Sequence, residues 1–251
     1  NDWNLQERLR PVGDLYDLPM VSILNAVTPQ FSLKCGEGRI LSKNQFFYDI
    51  FHPNNTGPTI MADCLQYLFE RCDAAEPARV GTFVEGMTEE QILSEKLFGP
   101  AVIGADFERI FLLDKKNRYV GAKIRTGSFT STDIELQSVD LDGSLTQTPE
   151  FPYNWMYDGS RPQMPGFEME ITCKSLFLIF KDSGEMDVGK ADVFVNDVYC
   201  MTADPHKNNW LHCNAVLLFW ETESRSHKVR ITVTEEDRNK KFTILGFGYT
   251  I

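Results

Sequence analysis

Apolar positions in the first 75 residues recur mainly at helical spacing. Leu5, Leu9, Val12, Leu15 and Tyr16 fall near a 3.6-residue period and predict a helix over 2–17, with Pro11 inside it as a kink or break. Residues 18–24 form a short apolar run of strand length, which fits a buried parallel strand. Residues 25–47 read as loop, turning at Lys34-Cys35-Gly36-Glu37-Gly38-Arg39. From Thr56 to Cys72 the positions Ile60, Met61, Cys64, Leu65, Leu68 and Phe69 share one helical face. Pro58 is tolerated there, because first-turn amides have no intrahelical partner. This order of strand, loop and helix predicts an α/β layer, in which ligands bind beyond the carboxyl ends of the strands. The loop between residues 47 and 56 would lie there.

Asp73-Ala74-Ala75-Glu76-Pro77-Ala78 contains a breaker and marks a boundary between a domain at 1–75 and another at 76–251. Beyond it the period changes. Thr88 and Glu89-Glu90 open one short helix over 87–97, and the rest is strand-like. Ser175 to Phe180 is a dense apolar run, Ala191 to Val195 alternates before an Asn196-Asp197 turn, and Lys228 to Val233 alternates again. Residues 242–249 read as a closing strand whose glycines allow close packing or a bulge. Strands at this spacing predict an antiparallel sandwich, with 80–164 only loosely assigned.

Composition narrows the function classes. The chain has 25 basic and 36 acidic residues, a net charge of −11, which argues against binding to a phosphate backbone. A neutral substrate such as a sugar ester suits the balance better. No apolar run approaches the ~18 residues of a membrane span, so no membrane partner is expected. The chain opens on Asn1 without a signal peptide, which predicts a processed or truncated product and leaves a cytoplasmic or a secreted bacterial location equally open. Six cysteines, at 35, 64, 72, 173, 200 and 213, lack Cys-x-x-Cys spacing and read mostly as free thiols. Cys200 and Cys213 flank His206 and His212 without the spacing of a zinc site. No metal or cofactor is expected.

The candidate chemistry is a carboxylate three residues before an imidazole, in Tyr48-Asp49-Ile50-Phe51-His52-Pro53-Asn54-Asn55-Thr56-Gly57. Asp49 in a turn can accept a hydrogen bond from one ring nitrogen of His52, leaving the other to take a proton from a nucleophile. Pro53 stiffens the chain beyond His52, and Asn54 and Asn55 suit a turn or a cap. The same residues also read as an Asn-rich helix entry whose histidine merely stands near an acid.

Residues 49–57 resemble the last conserved block of the SGNH (GDSL-type) hydrolases, and Arg10 to Ile23 resembles the helix-to-strand passage before it. The resemblance covers about the first 75 residues and implies the C-terminal part of a flavodoxin-like α/β domain. It implies His52 as general base and later acid, and Asp49 as the residue that orients it. The family's Gly-Asp-Ser nucleophile block and its oxyanion Gly and Asn would precede Asn1. Gly13-Asp14 is followed by Leu15, and Asp142-Gly143-Ser144 and Asp158-Gly159-Ser160 lie downstream, in another order and context. The chain alone is therefore expected to be nearly inactive. A missing N-terminal half, or a homo-oligomer formed through the edge of an incomplete sheet, would be a partner.

Gly189-Lys190-Ala191-Asp192-Val193-Phe194-Val195-Asn196-Asp197, Trp210-Leu211-His212-Cys213-Asn214 and the closing strand resemble the jelly-roll modules that follow SGNH domains in bacterial carbohydrate esterases. The implied ligand is an acetylated carbohydrate or another small ester. A sugar ring stacks its apolar face on an aromatic side chain, so Trp210 and Trp155 are candidate contacts. For both the competing role is to plug the sandwich core, and Trp220 is expected in the core. A structural calcium site is conceivable in such a module, although no spacing here asserts it. A carbohydrate-binding or interaction module without catalysis is the alternative function.

Overall fold

A computed structural model describes residues 4–49, 52–75, 86–135, 150–208 and 212–251. The chain divides into two compact units, Asn1–Ala105 and Asp106–Ile251.

The described part of the first unit is helical. Helix α1, Leu5–Leu15, starts where the Asn4 side chain accepts from the backbone amides of Gln6 and Glu7. It runs through Pro11, where a break had been one expectation. The expected strand at 18–24 is not formed. Ser22 instead caps α2, Ile23–Ser32, by accepting from the Asn25 amide at 3.0 Å. Ile23, Val27 and Phe31 recur every four residues and cluster with Phe46 and Leu41, so helical periodicity overrides the strand-like run before it. The expected loop at 25–47 also contains α3, Lys43–Phe46, opened by a capping box between Ser42 and Gln45. Helix α4, Thr56–Ala74, and α5, Glu89–Phe98, match the sequence reading. Leu65 and Phe69 on the apolar stripe of α4 remain exposed. Among the described residues this unit holds a single antiparallel bridge, Phe47 to Pro53, and no sheet.

The second unit is antiparallel sheet, consistent with a jelly-roll-like sandwich. Its strands are β1 Phe111–Leu113, β2 Ala122–Arg125, β3 Trp155–Tyr157, β4 Phe167–Asp182, β5 Ala191–Val195, β6 Val198–Ala203, β7 His212–Val233 and β8 Phe242–Thr250. The path is β1-β8-β4-β7-β5-β6, with β2 on the first half of β4 and β3 on the start of β8. Asn196 and Asp197 link β5 to β6 with φ of 52° and 63°, the hairpin turn expected from the sequence.

Two irregularities in β4 decide which residues face the core. Phe167, Met169, Ile171 and Cys173 point inward; after register shifts at Cys173/Ser175 and Leu176/Phe177 the inward set is Leu176, Leu178 and Phe180. A bulge changes the parity of a strand, and here it lets one strand serve the core along its whole length. Opposite it, Cys173 faces Arg225 while Ser175 faces Trp220, so two steps along β4 match five along β7. Across this break the Phe219 and His227 rings of β7 stack, with centroids 4.0 Å apart. Trp220 lies on the outer face and is 53% exposed, not in the core as expected.

The core also holds a charged pair. Lys181 and Asp133 lie 3.0 Å apart with side chains only 4% and 5% exposed. Asp133 further accepts from Thr243 Oγ1 and from the Glu135 amide, and the Asn154 side chain binds both backbone groups of Asp133. Every carboxylate oxygen thus has a donor, the condition for tolerating a buried charge.

Candidate active site

The loop carrying the candidate acid and base is anchored by Phe46. Its ring is buried against Phe31 and Phe47, with centroids 5.8 and 4.6 Å away. From there the chain goes out and returns. The Tyr48 amide donates to the His52 carbonyl at 3.1 Å, and the Asn54 amide donates to the Phe46 carbonyl at 2.8 Å. Asn54 Oδ1 accepts from the Thr56 amide at 2.9 Å, at the entry to α4. Gly57 makes this close return possible, since a Cβ there would lie 2.4 Å from Pro53 Cβ and 3.0 Å from the Phe46 carbonyl oxygen.

Within the loop Asp49 grips His52 at two points. Oδ1 accepts the His52 backbone amide at 2.7 Å, and Oδ2 lies 2.7 Å from Nδ1. A carboxylate only accepts, so Nδ1 carries the proton and Nε2 is the nitrogen able to receive one. The side chains of His52 and Asp49 are 62% and 41% exposed. An ion pair this open adds little to stability; what it does is orient the imidazole. The Tyr48 ring lies nearly parallel to that of His52.

A contrast within the chain shows what such a pair requires. His227 is buried, with Nδ1 3.1 Å from Asn196 Nδ2 and Nε2 3.1 Å from Glu221 Oε1. Asn196 Oδ1 is held by the Lys228 amide, so its NH2 faces Nδ1, which must then be the acceptor. Nε2–H points toward Glu221 outside hydrogen-bonding angles, leaving an electrostatic contact. Both nitrogens face fixed neighbours in the interior, and His227 is structural.

Of the other sequence candidates, Trp155 is 3% exposed and packs on Phe167 and Phe247, so its faces belong to the core and not to a sugar. Trp210 lies outside the described residues, as does Asp142-Gly143-Ser144. The hydroxyls of Ser131 and Ser160 donate to Asp158, and these bonds hold the Asp158 carboxyl down to about 2. The six cysteines are unpaired. His206 Nε2 contacts the Val188 carbonyl, while His212 Nε2 accepts from Asn208. Among the described residues no three His, Cys, Asp or Glu side chains group so as to hold a metal ion, and no helix is long and apolar enough to cross a membrane.

The contact between Asp49 and His52 is legible in the sequence because their spacing is short. Not legible there is the buried carboxylate of Asp182, which accepts from the side chains of Asn208 and Asn214 beside His212. Only the excess of Asn and His around residues 206–214 hinted at a polar cluster.

No protein-family model and no curated protein sequence matches the chain. Solved structures do. A two-domain esterase active on acetylated mannans, co-crystallised with mannopentaose, aligns with 99% of this chain and 60% of its own, at 15% identity and a TM-score of 0.63. A second structure, of a two-domain esterase active on acetylated mannans, aligns with 100% of this chain and 61% of its own, at 15% identity and a TM-score of 0.62. What they share with this chain is a fold. The chain spans about three-fifths of their length.

Proposed function

We propose that this chain carries the acid–base half of a serine-type carboxylic-ester hydrolase of the SGNH type, acting on acetylated carbohydrate. In this reading residues 1–75 are the end of an α/β catalytic domain, and residues 76–251 hold a sandwich appended to it. The observation that carries it is the double contact of Asp49 with His52, through Oδ1 to the amide and Oδ2 to Nδ1, each at 2.7 Å. The likeness in fold to esterases active on acetylated mannans supports the substrate class.

The reaction is acyl transfer to a serine hydroxyl and then to water. The serine proton passes to His52 Nε2 as the new C–O bond forms. It then leaves with the sugar oxygen as the ester bond breaks. Water repeats the sequence and releases acetate. Asp49 holds the tautomer that leaves Nε2 as acceptor and stabilises the imidazolium. The serine and the oxyanion donors would come from the upstream blocks of the resemblance.

The test is acetate release from acetylated mannan by the protein expressed from its complete coding sequence. His52→Ala should abolish turnover, and Asp49→Asn should lower kcat by about 10⁴-fold, as removal of the orienting carboxylate does in a serine triad. A rate unchanged in His52→Ala would refute the assignment. Polysaccharide binding without ester hydrolysis would leave the sandwich as a binding module.

A further inference from the structure

The acid–base pair has a third neighbour. The Tyr48 ring centroid lies 5.5 Å from that of His52, with the planes 14° apart, although Tyr48 is 70% exposed. On a turn so open to water, burial alone gives the phenol little reason to lie flat on an imidazole. The backbone sets the alignment. The Tyr48 amide donates to the His52 carbonyl, so the two residues face each other across the loop, one step beyond the Phe47–Pro53 bridge. Asp49 then fixes the imidazole from its Nδ1 edge at 2.7 Å, and Tyr48 lies along its face.

We propose that Tyr48 is a positioning residue for His52, and this rests on the acid–base reading above. Asp49 holds the imidazole at its Nδ1 edge, and a parallel aromatic face adds resistance to tilting of the ring out of its plane. The π face also attracts a cation within about 6 Å of its centroid. In the acylation half of the reaction His52 is cationic only between two events. It becomes so when the serine O–H proton reaches Nε2, and ceases to be so when that proton passes to the departing alcohol oxygen. Stabilisation in that interval favours the transition state over the bound ester, and so acts on kcat. The hydroxyl of Tyr48 has no part in this, which separates the inference from any proton transfer by the phenol.

Tyr48→Leu keeps an apolar side chain without a π face, and Tyr48→Phe keeps the face without the hydroxyl. In the protein from the complete coding sequence, Tyr48→Leu should lower kcat for 4-nitrophenyl acetate about two- to fivefold with KM unchanged. Tyr48→Phe should restore the wild-type value. In the chain itself, the His52 ring-proton NMR lines, assigned by their loss in His52→Ala, should move downfield in Tyr48→Leu and stay in Tyr48→Phe. Equal kcat in wild type and Tyr48→Leu, or equal loss in both variants, overturns the proposal. Ring-proton lines that do not move refute the stack whatever hydrolysis does, whereas hydrolysis surviving in His52→Ala refutes the acid–base reading on its own.

Discussion

Replacing Asp133 by Asn should destabilise the second unit far more than one lost surface contact would. In the native core Lys181 meets Asp133 Oδ2 at 3.0 Å, with both side chains almost fully buried, and Thr243 and the Glu135 amide complete the carboxylate's bonds. Asparagine preserves the shape and removes the charge, leaving the buried Lys181 ammonium group without its ion-pair partner. Breaking a buried pair by removing one partner costs about 3–5 kcal/mol. For a unit of this size that corresponds to a fall in Tm of about 6–20 °C. Urea unfolding followed by tryptophan fluorescence would measure it, since Trp155 is buried in the same core. Adding Lys181→Met to Asp133→Asn removes the stranded charge and should recover most of the loss. A single variant that loses less than about 1 kcal/mol, as an exposed pair would, would refute the argument that this pair is held away from water. So would a double variant no better than the single.

Two further outcomes rest on shifted titrations. The hydroxyls of Ser131 and Ser160 hold Asp158 down to about 2, so its folded form sheds a proton that the unfolded chain still binds at moderately acidic pH. Its stabilising effect is therefore complete above the ordinary carboxylate range and is lost as pH falls toward 2; Asp158→Ala should flatten the unfolding midpoint across that window, and an unchanged slope would count against these hydrogen bonds. Burial, with the nearby Glu221 carboxylate, pushes the Cys173 thiol up to about 12, whereas Cys35, Cys72 and Cys200 are exposed. A thiol reagent at pH 8 should label those three quickly and reach Cys173 only after unfolding; rapid native labelling of Cys173, located by peptide mapping, would contradict its burial.

The sequence by itself determined what depends on near neighbours. Asp49 and His52 are three residues apart, and a single turn is enough to join them. The hairpin at Asn196-Asp197, helix α4 and the ends of β5 and β8 were legible for the same reason, since capping, alternation and turn chemistry act over a few residues. The apolar run at 18–24 misled because a strand is defined by its partners, while Ser22 and the four-residue recurrence of Ile23, Val27 and Phe31 could form a helix locally. Tertiary structure alone decided the rest. Trp220, at the end of an apolar run, reads as core and Trp155, in a polar cluster, as a candidate contact, yet Trp220 is 53% exposed and Trp155 buried; for Trp220 the break in register between β4 and β7 decided which face it meets. Lys181 finds Asp133 across 48 positions and Asp133 finds Thr243 across 110. Contacts of that span exist only once the sheet has closed over its core, so nothing local in the chain records them.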